Sequence, residues 1–148
     1  MKLKVFWIGK TKEPAITSLS DEYLKRLSRY ADVEGVALKD EAAVLKLCRR
    51  EQRAAAHATL VLLDGRGKPL SSEELAKFID NHQNTNPNAL CFAVGPSNGF
   101  SGVTLKAADL LFSLGKLTLP HELARVVLLE QLYRAYTILN RHPYHVGH

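Results

Sequence analysis

Apolar residues in this chain fall either in short unbroken runs or at intervals of three and four. LKVFWI, residues 3 to 8, is such a run closed by Gly9 and predicts a buried strand, as does LCFAVG (90 to 95), while VEGVAL (33 to 38) and TLVLLD (59 to 64) read as further strands. Between the first two, Leu19, Tyr23, Leu27 and Tyr30 recur on one helical face behind capping residues Ser18 to Asp21. Asp40 can cap a second helix with a stripe of Val44, Leu47, Cys48 and Ala55 and with its arginines outward. In SSEELAKFIDN, Ser71 and Glu74 have capping-box spacing. DGRGKP and GPSNGFSG read as turns, KAADLLFSLG as a short segment before LTLP, and a long final helix spans about His121 to Leu139.

Strands alternating with helices predict an α/β domain layered around a mostly parallel sheet, one domain for all 148 residues. Ligands of such sheets bind beyond the carboxyl ends of the strands. Three apolar stretches run into glycine-bearing loops there: LLDGRGK, AVGPSNGFSG and FSLGKLTLPH. The final helix is apolar nearly all round, from Leu123 through Leu139, and must be buried on more than one side. In a chain this short, that predicts a partner subunit and a twofold homodimer.

Composition adds exclusions. With 46% hydrophobic and 24% charged residues the chain is neither disordered nor fibrous. Cys48 and Cys91 form no CxxC pair and no secretory leader precedes them, so a reducing cytosol and two buried apolar thiols are expected. Arg125, Glu130 and Arg134 inside the final helix argue against a membrane span. The net charge of +5 is one-sided: residues 1 to 68 hold 14 Lys and Arg against 9 Asp and Glu, whereas residues 69 to 148 hold 6 against 6. KLK, LKRLSR and KLCRREQR could attract a polyanion or could simply be solvated helix faces.

Few motifs are specific. DGRGK has a lone GxG without the third glycine of a dinucleotide fingerprint, and no GxxxxGK[ST] occurs. It reads as a turn with glycines at positive φ. Gly95 at a strand end would let a ligand approach the backbone, and Asn98 and Gly99 tolerate left-handed geometry. His121, after Pro120, can satisfy exposed amides or contact a ligand. The ending RHPYHVGH is rich in histidine, but His142 and His145 have no acidic or cysteine neighbour, so no metal is expected. Ser97 and Ser101 lack a GxSxG elbow.

Taken in order, LVLLDGRGKPLSSEELA, CFAVGPSNGFS, LFSLGKLTLPHELARVVLLEQLYRAY and HPYH resemble the small SPOUT-class RNA methyltransferases of the RlmH type. The resemblance covers essentially the whole chain and is most specific over its last forty residues. It implies a trefoil knot over about residues 59 to 148, S-adenosylmethionine as methyl donor, and a cytoplasmic homodimer. It further implies methylation of N3 of a pseudouridine in the 23S rRNA helix that meets the small subunit, on assembled ribosomes.

Carried over by position, the donor contacts fall on Leu63, Gly95, Leu114, Gly115, Lys116, Leu117, Thr118 and Leu119. Methyl transfer is then an in-line displacement that needs positioning, removal of the N3 proton and no metal. Tyr144 and His145, supported by His142 and Arg141, are implied as the substrate-side arm, a neutral imidazole accepting the proton. The chain departs from the pattern in ending Val146, Gly147, His148 where a basic residue usually follows HPYH. That departure keeps open a non-catalytic ribosome-binding relative, and a SPOUT enzyme for another rRNA or tRNA nucleotide is a further alternative.

Overall fold

The computed structural model describes residues 1–48 and 57–146. Five strands form one parallel sheet: β1 (Lys2–Ile8), β2 (Asp32–Leu38), β3 (Thr59–Pro69), β4 (Leu90–Val94) and β5 (Leu110–Ser113), in the order β2-β1-β4-β3-β5. The helices are α1 (Pro14–Leu27), α2 (Glu41–Leu47), α3 (Ser72–Thr85), α4 (Gly102–Ala107) and α5 (His121–Leu139). The mostly parallel α/β sheet expected from the alternation is present.

Strand alternation divides the core. Leu3, Val5, Trp7, Val61, Leu90 and Phe92 face α1, α3 and α5, whereas Phe6, Ile8, Leu60, Leu62, Cys91 and Ala93 face the side of α2 and α4. Connections β1 to β2 and β3 to β4 run one way across the sheet, β2 to β3 and β4 to β5 the other. Right-handed crossovers therefore place α1 and α3 on one face and α2 and α4 on the opposite one. Both cysteines are buried in the second cluster.

Several local expectations need correction. Helix α1 begins at Pro14, because proline's fixed φ suits a first turn; Ser18 to Asp21 lie inside it and cap nothing. The amides just before it are served from a distance: Glu122 Oε1 accepts the N–H groups of Lys12 and Glu13, both at 3.1 Å. Leu19 and Leu47 are exposed, and Leu45 takes the core position assigned to Leu47. Ala55 and the arginines of KLCRREQR, residues 49, 50 and 53, lie outside the described residues. Asp40 does cap α2 through Ala43 N–H, and the Ser71 and Glu74 capping box forms in full. KAADLLFSLG divides into the end of α4 and strand β5.

DGRGKP is not simply a turn. Strand β3 continues to Pro69, with a bulge between Leu63 and Lys68, both of which stand opposite Phe112 of β5. Neither of its glycines has positive φ. Gly67 is instead required by close approach, as a Cβ there would lie 2.5 Å from the carbonyl carbon of Leu111.

Helix α5 packs against both α1 and α3 as well as the sheet. Its apolar circumference is thus largely covered within one chain, so the premise from which a partner subunit was expected does not hold. Among the described residues no helix is long and apolar enough to cross a membrane.

Candidate active site

Pairing register brings three strand ends together. Leu63 stands beside Val94 and beside Phe112, so the chain leaves β3, β4 and β5 at one level of the sheet. Beyond that level lies a cleft of about 720 Å³, within the usual range for small-molecule sites. Leu63, Gly95, Leu114, Gly115, Lys116, Leu117, Thr118 and Leu119 all line it.

The loop after β5 is preformed. Gly115 takes φ +126, open only to glycine at low cost, and its N–H and C=O are both satisfied by the Ser113 hydroxyl, at 3.1 and 3.0 Å. Gly95 is buried, with the Phe100 ring 3.1 Å from where a Cβ would stand. In the second loop, Gly99 has φ +80 and donates to Pro96 C=O at 2.9 Å. Leu117 is 87% exposed, a large apolar side chain at the cleft with nothing among the described residues to cover it.

Asp64 belongs to the cleft and was missed by position-by-position transfer. Its carboxylate accepts the Arg66 main-chain N–H at 2.8 Å and two guanidinium N–H groups at 2.9 and 3.0 Å. The bond to the Arg66 side chain holds it below the usual carboxylate range despite partial burial. The available signal was a carboxylate at a strand end, beside the GRG turn. Ser113 and His121 also line the cleft. The adjoining Arg125 is 1% exposed and ties α5 to the loop after β1, donating to Ile8 C=O and the Thr11 hydroxyl, each at 2.8 Å.

The C-terminal tail lies elsewhere. His121 at the cleft and the turn at Asn140 bound opposite ends of α5, whose 19 residues span about 28 Å. Within one chain, Tyr144, His145, His142 and Arg141 therefore stand apart from the three loops and line no part of the cleft. Helix α5 ends in a Schellman arrangement: His142 N–H reaches Thr137 C=O at 2.9 Å and Arg141 N–H reaches Ile138 C=O at 3.2 Å. Arg141 takes the left-handed position, φ 55, usually held by glycine.

After that turn the tail folds back onto α5. The Tyr144 ring meets Tyr133 edge-on at 4.8 Å, with the Arg134 guanidinium 4.9 Å from its centre. Its hydroxyl donates to Glu130 at 3.4 Å. Burial, with the neighbouring Tyr23 hydroxyl and Glu130, pushes the Tyr144 phenol up to about 12. A phenol so raised is a donor, not a base, near neutrality. His145 sits between Arg134 and Glu73, and His142 Nδ1 accepts the Tyr144 N–H at 3.2 Å. Among the described residues no three His, Cys, Asp or Glu side chains gather in a metal-binding group.

A family model described as Predicted SPOUT methyltransferase matches residues 1–145. The chain belongs to the SPOUT methyltransferase family. This SPOUT methyltransferase is 60% identical to Ribosomal RNA large subunit methyltransferase H of Koribacter versatilis over 148 residues, all of both chains. It is 41% identical to the protein of the same name from Geobacter metallireducens, over 98% of this chain and 99% of that one. Two solved structures share its fold at 12% identity. One is a probable methyltransferase from Bordetella pertussis, TM-score 0.58, over 90% of this chain and 93% of that one. The other is the SpoU methyltransferase AviRb from Streptomyces viridochromogenes in complex with AdoMet, TM-score 0.51, over 88% and 56%.

Proposed function

We propose that this chain, a single domain over residues 1 to 148, is an S-adenosylmethionine-dependent methyltransferase of the large-subunit rRNA. Its acceptor in this reading is N3 of a pseudouridine in the 23S rRNA helix facing the small subunit, on assembled ribosomes in the cytoplasm. One observation carries the reading: in a SPOUT chain, three loops far apart in sequence line a single cleft of about 720 Å³. The names of the full-length relatives support the rRNA substrate class. A trefoil knot over about residues 59 to 148 and the donor role of the cleft are part of the proposal.

The cleft suits the donor in shape and chemistry. Leu63, Leu114, Leu117 and Leu119 offer apolar walls for a purine, and the main chains of Gly95, Lys116 and Thr118 offer polar groups for its edges and the ribose. Asp64 remains ionised at neutral pH and, paired with Arg66, adds a carboxylate acceptor to one wall. When bound, S-adenosylmethionine supplies a methyl group on a sulfonium.

The site also needs an acceptor side, which the tail offers at the far end of α5. We propose a homodimer in which the tail of a second copy covers the cleft of the first. The separation along α5 and the uncovered Leu117 at the cleft support this arrangement better than the apolarity of α5 does.

Calorimetry with S-adenosylmethionine tests the donor: saturable binding is expected, and none would sink the enzyme reading. Labelled donor incubated with ribosomes lacking the modification tests the acceptor, and label on another nucleotide or on tRNA would overturn it. Raising salt should weaken ribosome binding while barely moving donor affinity. Val146, 79% exposed where a basic residue was expected, favours the second reading, a relative that binds ribosomes without turnover. Donor binding with no methyl transfer would select it.

A further inference from the structure

The tail is gripped by a side chain outside both the tail and the donor cleft. Glu73, in the first turn of α3, receives His145 Nε2 at 2.7 Å, across 72 residues of sequence. The other ring nitrogen, Nδ1, lies 2.9 Å from Arg134 Nη1. A guanidinium only donates, so Nδ1 must carry the lone pair, and the single ring proton sits on Nε2, donated to Glu73. Arg134 is itself fixed, its Nε within 3.1 and 3.2 Å of the two Glu130 carboxylate oxygens, and it lies over the Tyr144 ring. The groups around His145 are thus Glu73 from α3, Arg134 and Glu130 from α5, and Tyr144 beside it, with Tyr23 of α1 behind Tyr144.

We propose that Glu73 is a positioning residue for methyl transfer: with Arg134 at Nδ1, it holds the His145 ring with Nε2–H toward α3, so that this histidine anchors the tail and does not accept the N3 proton. The inference rests on the methyltransferase reading above. A base needs a lone pair free to meet its proton, and both nitrogens of this ring are engaged. The N3 proton passes instead to hydroxide, forming water and leaving on N3 the electron pair that makes the new N–CH3 bond. Turnover then rises with pH without an inflection where imidazoles titrate. The Glu73 side chain is 64% exposed, so this hydrogen bond contributes little to stability, and its effect is on the direction in which the tail points.

The test compares Glu73→Lys, which turns a donor toward Nε2, with Glu73→Gln, whose amide oxygen can still accept from it. Three quantities are measured on the full-length protein: the nitrogen NMR spectrum of the His145 ring, calorimetric affinity for S-adenosylmethionine, and single-turnover methylation of ribosomes against pH. Glu73→Lys sets a donor against Nε2–H and is expected to displace the ring, seen as a change in its nitrogen shifts, and to lower turnover by about tenfold or more, with donor affinity unchanged. Glu73→Gln is expected to keep the tautomer and recover most of that loss. An Nδ1–H ring in the unaltered protein, unchanged turnover in Glu73→Lys, or a turnover inflection in the imidazole range that disappears in His145→Gln would each overturn the proposal. Absence of donor binding would instead overturn the methyltransferase reading, while the nitrogen spectrum still decides the state of the ring.

Discussion

Gly67 lies against Leu111 so closely that a Cβ would stand 2.5 Å from both the carbonyl carbon and oxygen of that residue. Rigid backbone on the facing strand cannot give way as a side chain could. Gly67→Ala should therefore part β3 from β5 and cost about 2 kcal/mol or more, read as a lower urea midpoint. Gly65→Ala, with nothing within 4 Å and no positive φ, should stay within about 0.5 kcal/mol of the parent.

Glu122 makes the loop before α1 sensitive to acid. Its carboxyl is lowered from 4.5, first by the Glu13 amide and also by that of Lys12. A carboxyl depressed by folding stabilises the protein above its unfolded value, and that contribution is lost as pH falls through the folded one. Urea titrations from pH 7 downward should show part of the loss of stability below 4.5 disappearing in Glu122→Gln. Asp64, Glu73 and Glu74 shift in the same direction, so one variant removes only its own share.

Tyr144 has the opposite dependence. Its phenol is raised from 10.0 to about 12, so above 10 the unfolded chain ionises while the folded one does not, and stability falls as pH rises through that window. Tyr144→Phe should flatten the decline. Tyr136, buried and raised further, accounts for another part of it. Denaturant midpoints on the alkaline side check both.

The proposed sharing of a site between two copies can be tested by mixing. A variant with a blocked cleft, Gly115→Val, and a tail variant, Tyr144→Ala with His145→Ala, should each be inactive on ribosomes. After unfolding and refolding together, half the dimers are mixed and each has one complete site, so about a quarter of parental activity should return. No recovery would mean that cleft and tail of the same chain must cooperate.

Arg141 takes a conformation better suited to glycine. Arg141→Gly should raise stability by about 1 kcal/mol while weakening ribosome binding, if the exposed guanidinium meets phosphate. Thermal melts together with ribosome affinity at two salt concentrations separate the effects.

Much of this architecture was legible because its causes are local. LKVFWI, LCFAVG and the Ser71 and Glu74 cap carry their structure within a few residues, and α5 runs over the expected His121 to Leu139. Proline at the start of α1 was also local, but a better-looking polar cluster four residues later concealed it. The continuation of β3 through GRG was hidden because it depends on Leu111, more than forty residues away. The cleft could be placed from strand ends, since register alone makes those loops converge. The setting of the tail could not, because Glu73 shares no pattern with HPYH and meets His145 only after α3 packs against α5.

Helix α5 is in this sense a ruler. It starts at the cleft and ends at the tail, so one inserted residue would displace the tail by about 1.5 Å and turn it through about 100° relative to everything the first turn of the helix touches. Loops at either end can vary in length and still serve their own site. The helix cannot, and among chains built on this plan its length should vary less than that of any connection around it.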